Sequence, residues 1–399
     1  MSEWKETTLG DFLTFQRGFD ITKKQMVDDG IYDVIFSSGI GGKHNEYKVE
    51  AHGVVIGRKG TLGTVFYSEN KFWATDTTLW VKNFHGNHPK FAYYFLHTLN
   101  LGQYDCGSAN PTLNRNHIHT LDVKVPSSVK EQKSIADILS CLDAKIENLR
   151  RQNETLEQIA QTLFKHWFID FEFPNADGKP YKSSGGAMSP SELGDIPEGW
   201  RVGKLKDISD ITSSKRIFSA EYVETGIPFY RSKEIIELHA GQNVTTELYI
   251  SKEKFNEIKS KFEVPKVGEI LLTSVGTIGI PYLIRKNDEF YFKDGNLTWI
   301  KNFKNGFAGV IIYYWIKSDS TQNKIKQNTI GSTQKALTIQ ALGNISIFIP
   351  DTNILSKYRQ FIEILNSKVE NNLCQIQTLT KTRDALLPKL MSGQLRVKE

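Results

Sequence analysis

Polar, basic and amide side chains on predicted loops are the chemistry-bearing feature of this 399-residue chain. In its N-terminal half they are Lys23, Lys24, Lys43, His44, Arg58, Lys59, Thr61, Asn114, Arg115, Asn116 and His117. In its C-terminal half they are Lys215, Arg216, Arg231, Ser232, Lys233, Ser274, Gln334 and Lys335. Arg and Lys suit guanine edges and phosphate oxygens, and Asn and Gln suit adenine, so the set fits a nucleic-acid surface. Any one of these residues alone reads more simply as a solvated surface group. Together they count for more, because both halves carry such stretches at related positions. A net charge of +5 and a pI near 8.8 permit that partner without demanding it.

Catalytic patterns are missing. Gly57-Arg58-Lys59-Gly60-Thr61-Leu62-Gly63 resembles a phosphate loop only superficially: it lacks GxxxxGK[ST] and runs into a strand-like Val65-Phe66-Tyr67. A hairpin turn is the simpler expectation. Asn110-Pro111-Thr112-Leu113 lacks the second proline and the aromatic residue of an amino-methyltransferase site and reads as a turn. No HExxH or nucleophile-elbow motif occurs. Cys106, Cys141 and Cys374 are far apart and show no metal-ligand spacing. The expectation is no metal site, no cofactor in this chain and no catalysis by it. The opening Met1-Ser2-Glu3-Trp4-Lys5-Glu6 is polar and no apolar run approaches membrane length, which points to a cytoplasmic protein without a membrane partner.

The elements that hold these loops are written twice. Trp80-Val81-Lys82-Asn83-Phe84 returns as Trp299-Ile300-Lys301-Asn302-Phe303, an offset of 219. Tyr93-Tyr94-Phe95-Leu96 returns as Tyr313-Tyr314-Trp315-Ile316, and Lys145-Ile146-Glu147-Asn148 as Lys368-Val369-Glu370-Asn371. The offset grows from 196 at Trp4/Trp200 to 216 at Gly60/Gly276, so the second copy gains residues early. A period this long is a duplicated domain, not a solenoid repeat. In each copy β-rich runs flank glycine turns, Gly57–Gly63 and Gly276–Gly279. Lys59 then faces Val275, and Asn110–Leu113 faces Gln334–Leu337. Frameworks that match while their loop tips differ suit two modules reading two different words.

Each copy continues, after Pro126 or Pro350, into a heptad pattern. In the first, Leu142, Leu149, Leu156 and Leu163 alternate with Leu139, Ile146 and Asn153. In the second, Leu365, Leu379 and Leu386 alternate with Ile362, Val369 and Ile376. A narrow seam with a 3.5-residue period predicts a coiled coil and not a surface helix. The polar seam residues Asn153, Asn372 and Arg383 set register at some cost in stability. Segment 174–199, rich in Pro, Gly and Ser, reads as a linker without a core-forming pattern. The expected class is α+β: two similar globular parts separated by two long antiparallel helices that form a coiled coil, with pseudo-two-fold symmetry.

Three strings add a family resemblance: Leu163-Phe164-Lys165-His166-Trp167-Phe168-Ile169-Asp170-Phe171, Leu193-Gly194-Asp195-Ile196-Pro197-Glu198-Gly199-Trp200, and Leu386-Leu387-Pro388-Lys389-Leu390-Met391-Ser392-Gly393-Gln394-Leu395-Arg396-Val397. In this order they resemble the specificity (S) subunits of type I restriction-modification enzymes, over essentially the whole chain. The resemblance implies target recognition domains at 1–130 and 200–350, a central spacer helix at 131–173, the linker at 174–199 and a distal spacer helix at 351–395. It implies a non-catalytic subunit that reads a bipartite site in double-stranded DNA. It further implies two modification (methyltransferase) subunits using S-adenosylmethionine and two restriction (translocase/nuclease) subunits using ATP and Mg²⁺. The competing expectation is a stand-alone DNA-binding regulator, or donor of recognition domains, without enzymatic partners.

Overall fold

The computed structural model describes residues 3–107, 111–242, 244–331 and 335–397. It separates into two compact units, Met1–Asn148 with Thr378–Glu399, and Leu149–Gln377.

Unit 1 opens with β1 (Trp4–Thr8), α1 (Leu9–Phe12), β2 (Thr14–Arg17), β3 (Tyr32–Phe36), β4 (Gly39–His44), β5 (Gly53–Gly57), β6 (Val65–Ser68), β7 (Phe72–Ala74) and β8 (Thr78–Asn83). It continues with α2 (Pro89–His97), α3 (Arg115–His119), β9 (Asp122–Pro126) and the first half of α4 (Val129–Phe168). The main sheet has the order β2-β8-β5-β6, and β1 pairs with β9. A smaller sheet, β4-β3-β7, joins β3 to β7 in parallel. Every residue of β5 is buried, which explains its unbroken Gly-Val-Val-Ile-Gly: a central strand covered on both faces does not alternate. Phe12, Phe15, Val54, Ile56, Phe91, Phe95, Ile135 and Leu139 form one core with Leu390 and Met391.

Unit 2 carries the second half of α4 and then repeats the plan. After β10 (Met188–Ser189) and β11 (Ile196–Pro197) come β12 (Arg201–Lys204), α5 (Leu205–Ile208), β13 (Asp210–Thr212), β14 (Tyr222–Val223) and β15 (Ile227–Tyr230). Next are α6 (Ser232–His239), β16 (Tyr249–Ile250), α7 (Lys252–Lys261), β17 (Ile270–Thr273), β18 (Pro281–Leu283), β19 (Tyr291–Phe292) and β20 (Leu297–Lys301). The unit closes with α8 (Gly309–Lys317), α9 (Asp319–Gln327), α10 (Ile339–Gly343), β21 (Ser346–Ile349) and the first part of α11 (Thr352–Met391). Its sheet order β13-β20-β17-β18 matches β2-β8-β5-β6, β12–β21 matches β1–β9, and the parallel pair β15–β19 matches β3–β7. The early growth in offset is α6 with α7, which lie between β15 and β17 where the first copy has β4.

The long helices pair antiparallel inside each unit. In unit 1 the Arg383 guanidinium donates to Asp143 (2.8 Å), and Arg396 reaches the fully buried Glu131 (2.8 Å). In unit 2 Asn372 Nδ2 donates to Asn153 Oδ1 (2.8 Å), and Tyr358 Oη donates to the Ala160 carbonyl (3.4 Å). All the apolar seam positions are buried or half-buried: Leu139, Leu142, Ile146, Leu149, Leu156 and Leu163 on α4, and Ile362, Leu365, Val369, Ile376, Leu379 and Leu386 on α11.

Segment 174–199 is more ordered than the expected linker without a core-forming pattern. Phe173 stacks on Tyr181 (4.6 Å) and on Trp200 (5.2 Å), β10 pairs with β11, and Ile196 is buried. The Tyr181 amide bonds to the Phe173 carbonyl (2.9 Å), so the stretch is a folded part of unit 2.

Candidate nucleic-acid interface

At one end of the main sheet in each unit, the same hydrogen-bond frame holds a cluster of loops. In unit 1 its hub is Thr77. The Thr77 carbonyl accepts the amides of Arg58 (2.8 Å) and Lys59 (3.0 Å), and its Oγ1 accepts the Ser37 amide (3.2 Å). The Leu113 amide donates to the Arg58 carbonyl (2.8 Å), and Lys59 bridges Thr112. In unit 2 the hub is Asn296, whose carbonyl accepts the Ser274 amide (2.9 Å) and the Ser232 hydroxyl (3.3 Å). The Leu337 amide donates to the Ser274 carbonyl (2.8 Å), and Val275 bridges Ala336. Gly60 and Gly276, with φ of 77° and 76°, turn the two hairpins in the left-handed region that glycine adopts without a Cβ clash. The pairing of Lys59 with Val275 and of Thr112 with Ala336 across the repeat is therefore structural. One module carries an exposed lysine where its twin carries a half-buried valine.

The structure sorts the sequence candidates. Arg58, Lys59 and Thr61 sit on the unit 1 hairpin; Lys59 and Thr61 are exposed, and the half-buried Arg58 donates to the Asp76 carbonyl (3.3 Å). Asn114, Arg115, Asn116 and His117 lie exposed at the start of α3, next to the strand that returns to Arg58. Asn114 spends its carbonyl oxygen capping α3 at the Asn116 amide (3.0 Å), and His117 Nδ1 meets Cys106 Sγ (2.9 Å). Burial first, and then the charge of Arg115, push the His119 imidazole below its usual pKa. The neutral ring accepts the Phe15 amide (3.0 Å) and stacks on Phe15, which docks α3 on β2. Lys23 and Lys24 are exposed on a single 3₁₀ turn. Lys43 and His44 belong to the smaller sheet, where Lys43 faces Asp33 (3.4 Å) and His44 packs on Trp73.

In unit 2, Lys215 and Arg216 follow β13; Arg216 pairs with Asp294 (2.8 Å) and the Lys215 amide bonds to Tyr291 Oη (2.8 Å). Arg231, Ser232 and Lys233 form the junction of β15 and α6, and Lys233 is exposed beside Glu237 (3.7 Å). Lys335 is exposed, and Gln334 lies outside the described residues. Ser274 is a correction. It is 3% exposed, and its hydroxyl is bonded to Thr298 Oγ1 (2.6 Å), so it holds the frame and offers nothing to a partner. Arg17, which the sequence did not single out, ends β2 and pairs with Asp20 (2.6 Å) and Asp76 (3.5 Å).

The two units thus carry matching frames with unlike loop tips. Residues 1–158 and 197–375 match the model of the type I restriction modification DNA specificity domain. The chain belongs to that family. It is 32% identical to the type I restriction enzyme MjaIX specificity subunit of Methanocaldococcus jannaschii, over 78% of this chain and 70% of that one. It is 27% identical to the putative type I specificity subunit S.MpnORF638P of Mycoplasma pneumoniae, over 98% and 96%. A crystal structure of a type I restriction-modification S subunit from M. genitalium shares the fold, with a TM-score of 0.62 at 17% identity over 98% of this chain and 96% of that one. The family accounts for the layout found here, with duplicated α+β parts and long helices that pair antiparallel. No helix among the described residues is long and apolar enough to cross a membrane.

Proposed function

We propose that this chain is the DNA-recognition subunit of a type I restriction-modification complex and is itself non-catalytic. Each globular part reads one half of a bipartite duplex site, and the paired helices set the gap between the halves. The chain then scaffolds two modification subunits, which carry S-adenosylmethionine, and two restriction subunits, which use ATP and Mg²⁺, in the cytoplasm. On this reading the recognition domains are 1–130 and 200–350, with the spacer helices at 131–173 and 351–395. The observation that carries the proposal is the duplicated loop frame with unlike tips, Lys59 against Val275 and Thr112 against Ala336. A scaffold kept the same while its loop-tip side chains differ is what two sequence readers of one family need. The test is reconstitution. The purified chain alone, with partners excluded by mass spectrometry, should neither methylate nor cleave DNA. Adding the cognate modification subunit should give adenine methylation at one bipartite sequence. Methyl transfer by the chain alone would overturn the proposal.

A further inference from the structure

Arg231 stands where β15 ends and α6 begins, beside the Asn296 hub that Ser232 touches. Its amide donates to Glu234 Oε2 (2.8 Å), Nη2 donates to Glu234 Oε1 (2.7 Å), and Nε lies 3.4 Å from Oε2. The two side chains differ sharply in exposure: Glu234 is 0% exposed and Arg231 is 38% exposed. The carboxylate therefore takes the inner edge of the guanidinium. The outer edge, Nη1 and the second N–H of Nη2, faces outward with no hydrogen-bond partner among the described residues. Burial works against the Glu234 charge, and the hydrogen bonds from Arg231 outweigh it, so the carboxyl stays below its usual pKa and the pair stays ionised.

We propose that Arg231 reads a guanine in the half-site of unit 2, and that the buried Glu234 is the positioning residue that aims it. The proposal rests on the reading of this chain as a DNA-recognition subunit. The outer edge of a guanidinium presents two parallel N–H groups, which match O6 and N7 of guanine in the major groove. A surface arginine must surrender rotamer freedom to make that contact, and the fixed carboxylate has removed the freedom beforehand. A phosphate is the poorer fit. The charge of Glu234 cancels that of Arg231, which weakens the long-range pull on an anion, while the geometric match to a neutral base edge is untouched. The first copy holds Phe36, the last residue of β3, at the corresponding place, since the Ile35 carbonyl accepts the Thr75 amide as the Tyr230 carbonyl accepts that of Lys293. A contact of this kind from this position therefore belongs to unit 2 alone.

The experiment uses the full chain in complex with its modification subunits. Methylated adenines in the DNA of cells expressing the complex first give the bipartite sequence. Duplexes of that sequence are then made with 7-deazaguanine, which lacks N7 but still pairs with cytosine, at one guanine at a time. Wild-type complex should lose binding by about 10- to 100-fold at one guanine in one half-site. Arg231→Lys keeps the charge opposite Glu234 but has no fork, so it should bind the native and 7-deaza duplexes equally at that position and match wild type elsewhere. Glu234→Gln should lose part of the discrimination at the same guanine and at no other, which a merely structural role would not do. The proposal is overturned if Arg231→Lys keeps wild-type sensitivity at every guanine, or if it weakens binding equally on all sequences. It is overturned without any variant if the wild-type complex has no N7-dependent guanine in either half. A wild-type complex with no bipartite methylated sequence at all would instead sink the underlying DNA-recognition reading.

Discussion

Trp80 and Trp299 occupy the same place in the two copies and live in different chemical circumstances. Trp299 Nε1 donates to the buried Glu269 (2.9 Å), whereas the buried Trp80 Nε1 has no partner among the described residues. Glu269 Oε2 keeps the Lys266 amide (2.8 Å), so removing Trp299 costs one hydrogen bond to a buried carboxylate, about 1–3 kcal/mol, while removing an already unpaired donor costs none. Trp299→Phe should therefore destabilise its unit by about 1–3 kcal/mol more than Trp80→Phe destabilises the other, as read by denaturant unfolding. A second test concerns acid. Hydrogen bonds from Lys301, and then from Lys266, hold the Glu263 carboxyl down to about 2, against an ordinary 4.5. A depressed acid contributes stability that is full above its unfolded pKa and is lost as pH falls towards its folded one. Melting temperature should thus decline between about pH 4.5 and about pH 2, and Glu263→Gln should flatten that part of the profile. At the interface, Arg115→Ala and Lys335→Ala should each weaken one half-site only, by about 1–3 kcal/mol if the side chain meets a base. If it meets a phosphate, the loss should be uniform over sequences, with a salt slope smaller by about one. The basic loop residues were legible in the sequence because their types are few and both copies carry them. The burial of Ser274 was not, since it depends on Thr298, 24 positions away. Nor was the attachment of Arg231 to Glu234, because a loop arginine and a helical glutamate look alike whether or not they meet.

At the level of elements, periodicity carried most of the information. The 3.5-residue seam shows directly as α4 and α11, and the glycine punctuation shows as the Gly60 and Gly276 hairpins, because both patterns are local. Helices α6 and α7 were legible only as a jump in the repeat offset. Segment 174–199 shows no core-forming pattern in the sequence because its order comes from ring stacking across the chain, Phe173 on Tyr181 and Trp200, and not from any local pattern. The seam makes its own prediction. Asn372 is fully buried and donates to Asn153, yet its Oδ1 has no partner among the described residues. Polar seam residues fix register at a cost in stability. Replacing Asn153 and Asn372 together with leucine should raise the melting temperature. The measurable cost should be looser pairing, seen as faster amide hydrogen exchange in α4 and α11 during partial unfolding. A lower melting temperature would show that the pair stabilises the helices outright.

Taken whole, the molecule is two units, and the chain does not pass through them in turn. Unit 1 begins at the N-terminus but also holds residues from Thr378 onward, and its core includes Leu390 and Met391. Gly393 lies against the Trp4 ring, and Arg396 satisfies the buried Glu131, which Trp4 also approaches. Unit 2, Leu149–Gln377, is continuous. The duplicated motifs gave the two-part plan from sequence, but not this partition, because the plan follows order along the chain and the partition follows contact. The arrangement has a consequence for synthesis. A ribosome makes the N-terminal part first, yet that part cannot close until the segment from Thr378 has emerged. The portion translated later, unit 2, has all its residues sooner than the portion translated earlier. A chain truncated after Gln377 should therefore protect unit 2 from protease while residues 3–148 remain open to it. Restoring the remaining residues should close the older half last.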